Sequence, residues 1–169
     1  MAKRKSGNFG RLISIAASPV IYKDKFLLIK RIKPPYVGYW SMPGGKIDFA
    51  EEIKQTIVRE IKEETGLSIK FIAIRGFVEE ILSNGKVKDA HYHIWVCETK
   101  AKNNKASSQQ EGEIGWFTKA EILKNKKHII PSDFEMIKTF FFQKRTKIAI
   151  FKSYMQNIGK SYSMEYFGR

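Results

Sequence analysis

The chain has 169 residues, a length that suits one domain with a sizeable core and leaves little room for a second. With 43% hydrophobic, 13% aromatic and 28% charged residues and only 5 prolines, the composition is that of a globular protein and excludes disordered, collagen-like and coiled-coil classes. A single cysteine, Cys97, provides neither a disulfide scaffold nor a CxxC or Cys/His zinc cluster, and the formal net charge of +14 resides at the two ends, +8 in residues 1–33 and +6 in residues 138–169.

Residues 1–9 read as a basic extension. Lys3, Arg4 and Lys5 ahead of the run Leu12 to Ser18 look like the start of a secretory signal, but that run is short, contains serines and ends at Pro19, so a first strand is expected instead. No stretch of roughly 18 apolar residues exists to span a bilayer, so the expected location is the cytoplasm, with no membrane partner. Leu12 to Ile21 and Phe26 to Ile32 are β-rich runs around Lys23-Asp24-Lys25, which predicts a hairpin. The Pro and Gly content of Lys33 to Gly45 marks a loop. A helix is expected from about Glu51 to Thr65, closed by Gly66. Residues 68–82 and 86–99 read as strands joined by Asn84-Gly85.

Lys102 to Gln110 is polar and is expected to be a loop, and Thr118 to Asn125 and Ser132 to Arg145 are expected helices, the latter with Ser132 and Glu135 at capping-box spacing. In the basic segment 146–169, Ile148, Phe151, Tyr154 or Met155, and Ile158 recur at helical spacing. A helix packed on the domain is the expectation there, ahead of a dimer element or a basic arm. This order of elements predicts an α/β domain over residues 10–145 with a largely antiparallel or mixed sheet.

The expected helix at 51–65 carries an arrangement that stability alone would not select. Ile53, Ile57 and Ile61 form its apolar stripe, yet Glu60 and Glu64 lie on or beside that stripe, and Glu63 is a quarter-turn away. Three carboxylates thus crowd the last turn, where the helix dipole favours cations, and Glu60 and Glu64 repel at i,i+4. Arg59 and Lys62 are too few and badly placed to neutralise them all. A hard divalent cation with oxygen ligands explains the cluster better.

Reading on from Gly45, the chain has five residues, Glu51, seven residues, and then Arg59-Glu60-Ile61-Lys62-Glu63-Glu64-Thr65-Gly66-Leu67. This resembles the Nudix box, GX5EX7REUXEEXGU with U apolar, at every fixed position, a match expected by chance at a given start on the order of once in 10⁸. Trp40 to Gly45 and Glu113 to Phe117 are similar to the family's flanks. The resemblance implies a Nudix fold, a mixed β-sheet sandwiched between α-helices. It also implies cleavage by water of a pyrophosphate linkage in a nucleoside diphosphate joined to another group, with Mg²⁺ or Mn²⁺ as cofactor.

Carried onto matching positions, the resemblance makes Glu60, Glu63 and Glu64 metal ligands, with a backbone carbonyl of Gly44 or Gly45. Glu60 is the first choice of general base, and Glu111 and Glu113 are further candidates for base or additional ligand. Arg59 and Glu51 would form a pair in which the arginine orients the glutamates. The chain departs from many members at Asp48-Phe49-Ala50, outside the fixed positions. The family's usual markers for particular substrates are absent after the box. Arg31 and Lys33 are candidates to hold phosphate, and Tyr36 and Trp40 to stack on a base. Asp133 is a candidate to read a guanine edge, although Pro131, Ser132 and Asp133 also suit a helix start.

His91 and His93 share one face of a strand but form an incomplete metal site without a nearby carboxylate or cysteine, so they are read as part of a polar sheet face. The expected partner is a small nucleotide diphosphate. Weak, sequence-blind nucleic-acid binding at the basic ends and a homodimer are further expectations. The alternative function is a non-catalytic module on the same scaffold that binds RNA or nucleotide; members of that kind typically have lost box glutamates, which stand here.

Overall fold

Side chains that alternate between two sheet faces build most of this chain. The computed structural model describes residues 12–83, 88–108, 112–143, 148–159 and 161–168. In chain order these form β1 (Leu12–Ala17), β2 (Ile21–Tyr22), β3 (Lys25–Lys30), β4 (Trp40–Ser41), β5 (Gly44–Lys46), α1 (Ile53–Thr65), β6 (Ile69–Ser83) and β7 (Lys88–Ala101). Then follow β8 (Ile114–Thr118), α2 (Lys119–Lys124), α3 (Pro131–Ile137), β9 (Ala149–Ile158) and β10 (Ser161–Gly168).

The sheet is mixed. β6 and β7 form a long antiparallel pair from Ile69 opposite Ala101 to Ser83 opposite Lys88. β1 runs parallel to β7 and antiparallel to β5, bringing Ala17 opposite Gly44 and Ala16 opposite Gly45. Alternation then assigns each strand two roles. Ala16, Leu27, Ile29 and Cys97 face α1 and bury Ile57 and Ile61, whereas their neighbours Ala17, Leu28 and Val96 face α3 and bury Phe134, Met136 and Ile137. The sheet therefore lies between helices, as the resemblance implies.

α1 starts at Ile53, two residues later than the sequence indicates, because Gln55 reaches back to accept from the Glu52 backbone N–H at 2.9 Å and fixes the cap there. Gly66 ends it in the left-handed conformation, with its N–H on the Lys62 carbonyl at 3.0 Å. Among the described residues no helix is long and apolar enough to cross a membrane.

Three expectations are corrected. The first hairpin is β2 with β3 alone, since β1 pairs with β5 and β7; Ser18 leaves the ladder to donate its N–H to the Pro43 carbonyl, and Pro19 has no N–H to continue it. Ser132 is not a cap: Ile130 precedes Pro131 at the first helical position, and the buried Ser132 hydroxyl bonds to Glu80. α3 then widens into π-type turns over Lys138–Phe142.

The third correction is the tail, which forms an antiparallel hairpin of β9 and β10, with β9 parallel to β6 from Gly76 opposite Ala149 to Ser83 opposite Gln156. Phe151, Ser153 and Met155 are buried while Ile150 and Tyr154 are exposed, a period of two. Apolar residues on both faces imitate the helical spacing, and the unpaired edge of β6 decides for a strand. The Asn84-Gly85 turn lies outside the described residues.

Candidate active site

The box is a loop and helix folded against a strand end. β5 passes beneath the last turns of α1, close enough that a Cβ on Gly45 would fall on the Glu60 carboxylate. Gly44 has a φ of 145° and would drive a Cβ into the Ala16 carbonyl, so both positions require glycine. The Gly44 N–H donates to Glu64 Oε2 at 3.0 Å.

Arg59 organises the acidic side. Its Nε donates to Glu51 Oε1 at 2.9 Å and Nη2 to Glu51 Oε2 at 2.8 Å, while Nη1 donates to Glu60 Oε1 at 2.7 Å and, at 3.4 Å, to Glu63 Oε2. Its Nη2 also reaches the Lys46 carbonyl at 3.2 Å. Glu51 is fixed further by the Thr56 hydroxyl at 2.8 Å and the Asp48 N–H at 3.2 Å. The Arg59 hydrogen bonds hold the Glu51 carboxyl down at about 2, and these carboxylates keep Arg59 more firmly protonated than a free arginine. Glu60 is different: burial raises its pKa above the ordinary carboxylate value, against the pull of Arg59. Lys62 takes no part and donates to the Gly66 carbonyl.

Beside this end of α1 a cavity of about 580 Å³ opens on the α3 face of the sheet. Glu60 and Glu64 line one part of its wall with Gly44 and Gly45; Arg31, Tyr36, Glu80 and Asp133 line another. Asp133 Oδ2 accepts the Met42 N–H at 2.7 Å, and burial pushes its carboxyl up to about 7, with Glu80 adding to the rise. Glu80 is buried and also raised, chiefly by loss of water, and it accepts from the hydroxyls of Tyr36 at 3.3 Å and Ser153 at 3.4 Å. Tyr36 sits at a φ of 68°, unusual for a non-glycine residue. Its Glu80 bond, and its N–H donated to the Tyr162 hydroxyl with the rings 4.3 Å apart, hold it there.

The structure thus brings Glu60, Glu64, Gly44, Gly45, Arg31, Tyr36 and Asp133 to one cavity. Glu63 is on the same helix, 60% exposed and paired with Arg59, but does not line that cavity. Lys33 is exposed away from the wall, and Trp40 packs edge-on against Phe117 at 4.9 Å between ring centres. Arg31 also donates to the Pro35 carbonyl at 2.8 Å, ordering the loop that carries Tyr36. Glu113 pairs with Lys30 at 3.5 Å outside the cavity, and Glu111 lies outside the described residues.

The sequence reading missed Glu80, Ser153 and Tyr162. Glu80 had a signal: it holds the inward phase of a strand between Val78 and Leu82, where an acid must be there for a reason other than solubility. Ser153 and Tyr162 had none once the tail was read as a helix.

The donor set at the helix end consists of carboxylate and backbone groups, with a glycine cradle that a side chain would fill, and it suits a hard cation such as Mg²⁺ or Mn²⁺.

The chain is similar to known proteins in sequence and in fold. The chain is 44% identical over 64 residues to an ADP-ribose pyrophosphatase of Methanocaldococcus jannaschii, covering 37% of this chain and 38% of that protein. It is 29% identical over 112 residues to a Mycobacterium tuberculosis protein named "Putative 8-oxo-dGTP diphosphatase 2", covering 64% of this chain and 74% of that one. Among solved structures, a NUDIX hydrolase from Nitrosomonas europaea superposes with a TM-score of 0.68 at 20% identity, covering 86% of this chain and 81% of that one. A MutT protein from Bacillus halodurans gives 0.67 at 21% identity, covering 90% and 97%. The NUDIX domain family profile matches residues 13–140, a span that takes in the box, α1 to α3 and the sheet as far as β8 but not β9 and β10, and the chain belongs to that family.

Proposed function

We propose that this protein is a divalent-metal-dependent hydrolase that cleaves the pyrophosphate linkage of a purine nucleotide derivative, with the phosphates near Glu60 and Glu64 and the base near Asp133. The observation that carries the reading is that these two groups line one cavity of about 580 Å³, within the range of roughly 300 to 1,000 Å³ usual for small-molecule sites. Glu60 and Glu64, with Glu63 beside them, would hold Mg²⁺ or Mn²⁺. That cation supplies neutralisation of the diphosphate and a lower pKa for water. Glu60, whose burial increases its affinity for a proton, takes the proton from the attacking water. Arg59 keeps Glu60 in place while bracing itself on Glu51.

Asp133 would meet the base edge, since a carboxyl whose pKa lies near 7 offers either an acceptor or a donor at neutral pH. The choice of purine over pyrimidine rests on the relatives. Two relatives named above act, by their names, on ADP-ribose and on 8-oxo-dGTP, and both compounds are purine nucleotides.

Release of phosphate-bearing products from ADP-ribose, purine and pyrimidine triphosphates and dinucleoside polyphosphates, with and without Mg²⁺, tests the proposal. Mg²⁺-dependent turnover that favours purine compounds is expected. Cleavage of none of them, or equal rates for purines and pyrimidines, would overturn the corresponding half.

A further inference from the structure

We infer that Glu79, His91 and His93 form a second metal site, for Zn²⁺, on the sheet face opposite the nucleotide cavity. β6 and β7 pair with Glu79 directly across from His93 and Ile81 across from His91, so the three side chains project from one face. Their sequence neighbours Glu80, Tyr92 and Ile94 project from the other face and line the cavity. The sheet therefore separates this cluster from Glu80 and the base-side wall, whereas α1, which carries Glu60 and Glu64, packs further along the cluster's own face.

One ligand atom from each of the three residues lies within 4.8 Å of the other two. His91 Nε2 and Glu79 Oε1 are 2.9 Å apart, and the imidazoles stand perpendicular with ring centres 5.3 Å apart. Phe77 backs His93 at 5.1 Å and limits how its ring can turn. The His91–Glu79 pair engages two of these groups, and the register that sets His93 opposite Glu79 brings a third ligand atom to the same point. Zn²⁺ ligands at about 2.0 to 2.2 Å from the ion need only a small contraction of the observed cluster. The side chains of Glu79 and His91, 36% and 38% exposed, are free to make it, and they leave the site open to entry.

The donors decide the metal. Two imidazole nitrogens and one carboxylate oxygen are a zinc-type set with a position left for water, whereas Mg²⁺ prefers oxygen alone. The carboxylate that His91 and His93 lack in the linear sequence comes from the neighbouring strand. Lys152, opposite Glu79 on β9, is the cation that would otherwise claim that carboxylate.

Zinc could also reach the box glutamates, so the test uses the full chain carrying Glu60→Gln and Glu64→Gln. Calorimetric titration with Zn²⁺ is expected to show one site per chain. Adding His91→Ala or His93→Ala should weaken it at least roughly tenfold, with the fold checked by circular dichroism. His128→Ala should leave the binding unchanged. Because the site clips β6 to β7, Zn²⁺ should also raise the melting temperature, and His93→Ala should abolish the rise. Absence of saturable Zn²⁺ binding in the parent, or binding indifferent to both histidine replacements, would overturn the inference. Failure of nucleotide cleavage by the unmodified chain would bear on the cavity reading and leave this result untouched.

Discussion

Arg59 joins Glu51 to Glu60 through one planar group: two of its nitrogens take both oxygens of Glu51, at 2.9 and 2.8 Å, and the third donates to Glu60 Oε1 at 2.7 Å. The eight-residue separation of Glu51 and Arg59 carries the side chain back along α1, so a residue before the helix braces one at its middle. A lysine has a single ammonium and cannot hold this fork. Arg59→Lys should lower kcat by about 10- to 100-fold with a much smaller change in KM, since it loosens the carboxylate without removing it. Steady-state kinetics on a variant shown to be folded would check this, and an equal fall in kcat and in folded fraction would mean the residue serves only stability.

Glu60→Gln and Glu64→Gln separate the chemistry of the box from its contribution to stability. Both carboxylates crowd the end of a helix whose dipole disfavours them, and burial further penalises the charge on Glu60. Each replacement should therefore be neutral or stabilising without metal, yet lower kcat by orders of magnitude. Thermal melts with and without Mg²⁺ provide the second readout. An undiminished Mg²⁺-induced rise in the double variant would place the cation elsewhere.

How much of this was legible in the sequence depended on where the information sat. The box could be read because its constraints are local: Gly45, Glu51, Arg59, Glu60 and Gly66 act on one another within a loop and one helix. The order of elements predicted an α/β domain with a mixed sheet, and the sandwich followed from the resemblance that the box carries. The tail was misread because its two sheet faces both carry apolar residues, and only the edge of β6, more than seventy residues earlier, settles its period. The base-side wall was hidden for the same reason. Glu80 meets Tyr36, Ser132 and Ser153, from three separate parts of the chain. The carboxylate beside His91 and His93 was missed because cross-strand register, rather than spacing, supplies Glu79.

Asp133 gives the fold a pH signature. Its carboxyl titrates near 7 in the folded protein against an ordinary 3.8, because burial disfavours the charge, so the folded state holds the proton more tightly than the unfolded state. That contribution is complete below about pH 4 and is lost as pH rises through about 7. Asp133→Asn keeps an oxygen for the Met42 N–H and cannot ionise. It should flatten the fall in stability across this window and be more stable than the parent at pH 8 by on the order of 1 kcal/mol or more. Denaturant titrations at a series of pH values would show it; Glu80, raised in the same direction, will leave some slope behind.

The pairing of the tail with β6 has measurable consequences for stability. If β9 pairs with β6, its inward residues are Phe151, Ser153 and Met155, and Ile150 faces water; Met155 is 1% exposed and Ile150 66%. Truncating Met155 to alanine should then cost about 2 to 5 kcal/mol, as for a buried methionine that leaves a cavity. Ile150→Ala should cost no more than about 0.5 kcal/mol, the range for an exposed position. A helix would group Phe151 with Tyr154, Met155 and Ile158 on one side, so Tyr154→Ala separates the two arrangements: Tyr154 is 39% exposed in the strand and should cost well under half of what Met155 does. Equilibrium urea unfolding of the three variants measures these differences directly. There is also a consequence for the cavity, because Ser153 on the inward face bonds Glu80 and Tyr162 on β10 holds Tyr36. Met155→Ala should therefore raise KM for the nucleotide more than it lowers kcat at temperatures where the variant is fully folded. A loss confined to kcat, or equal costs for Met155 and Tyr154, would count against the strand and its support of the cavity wall.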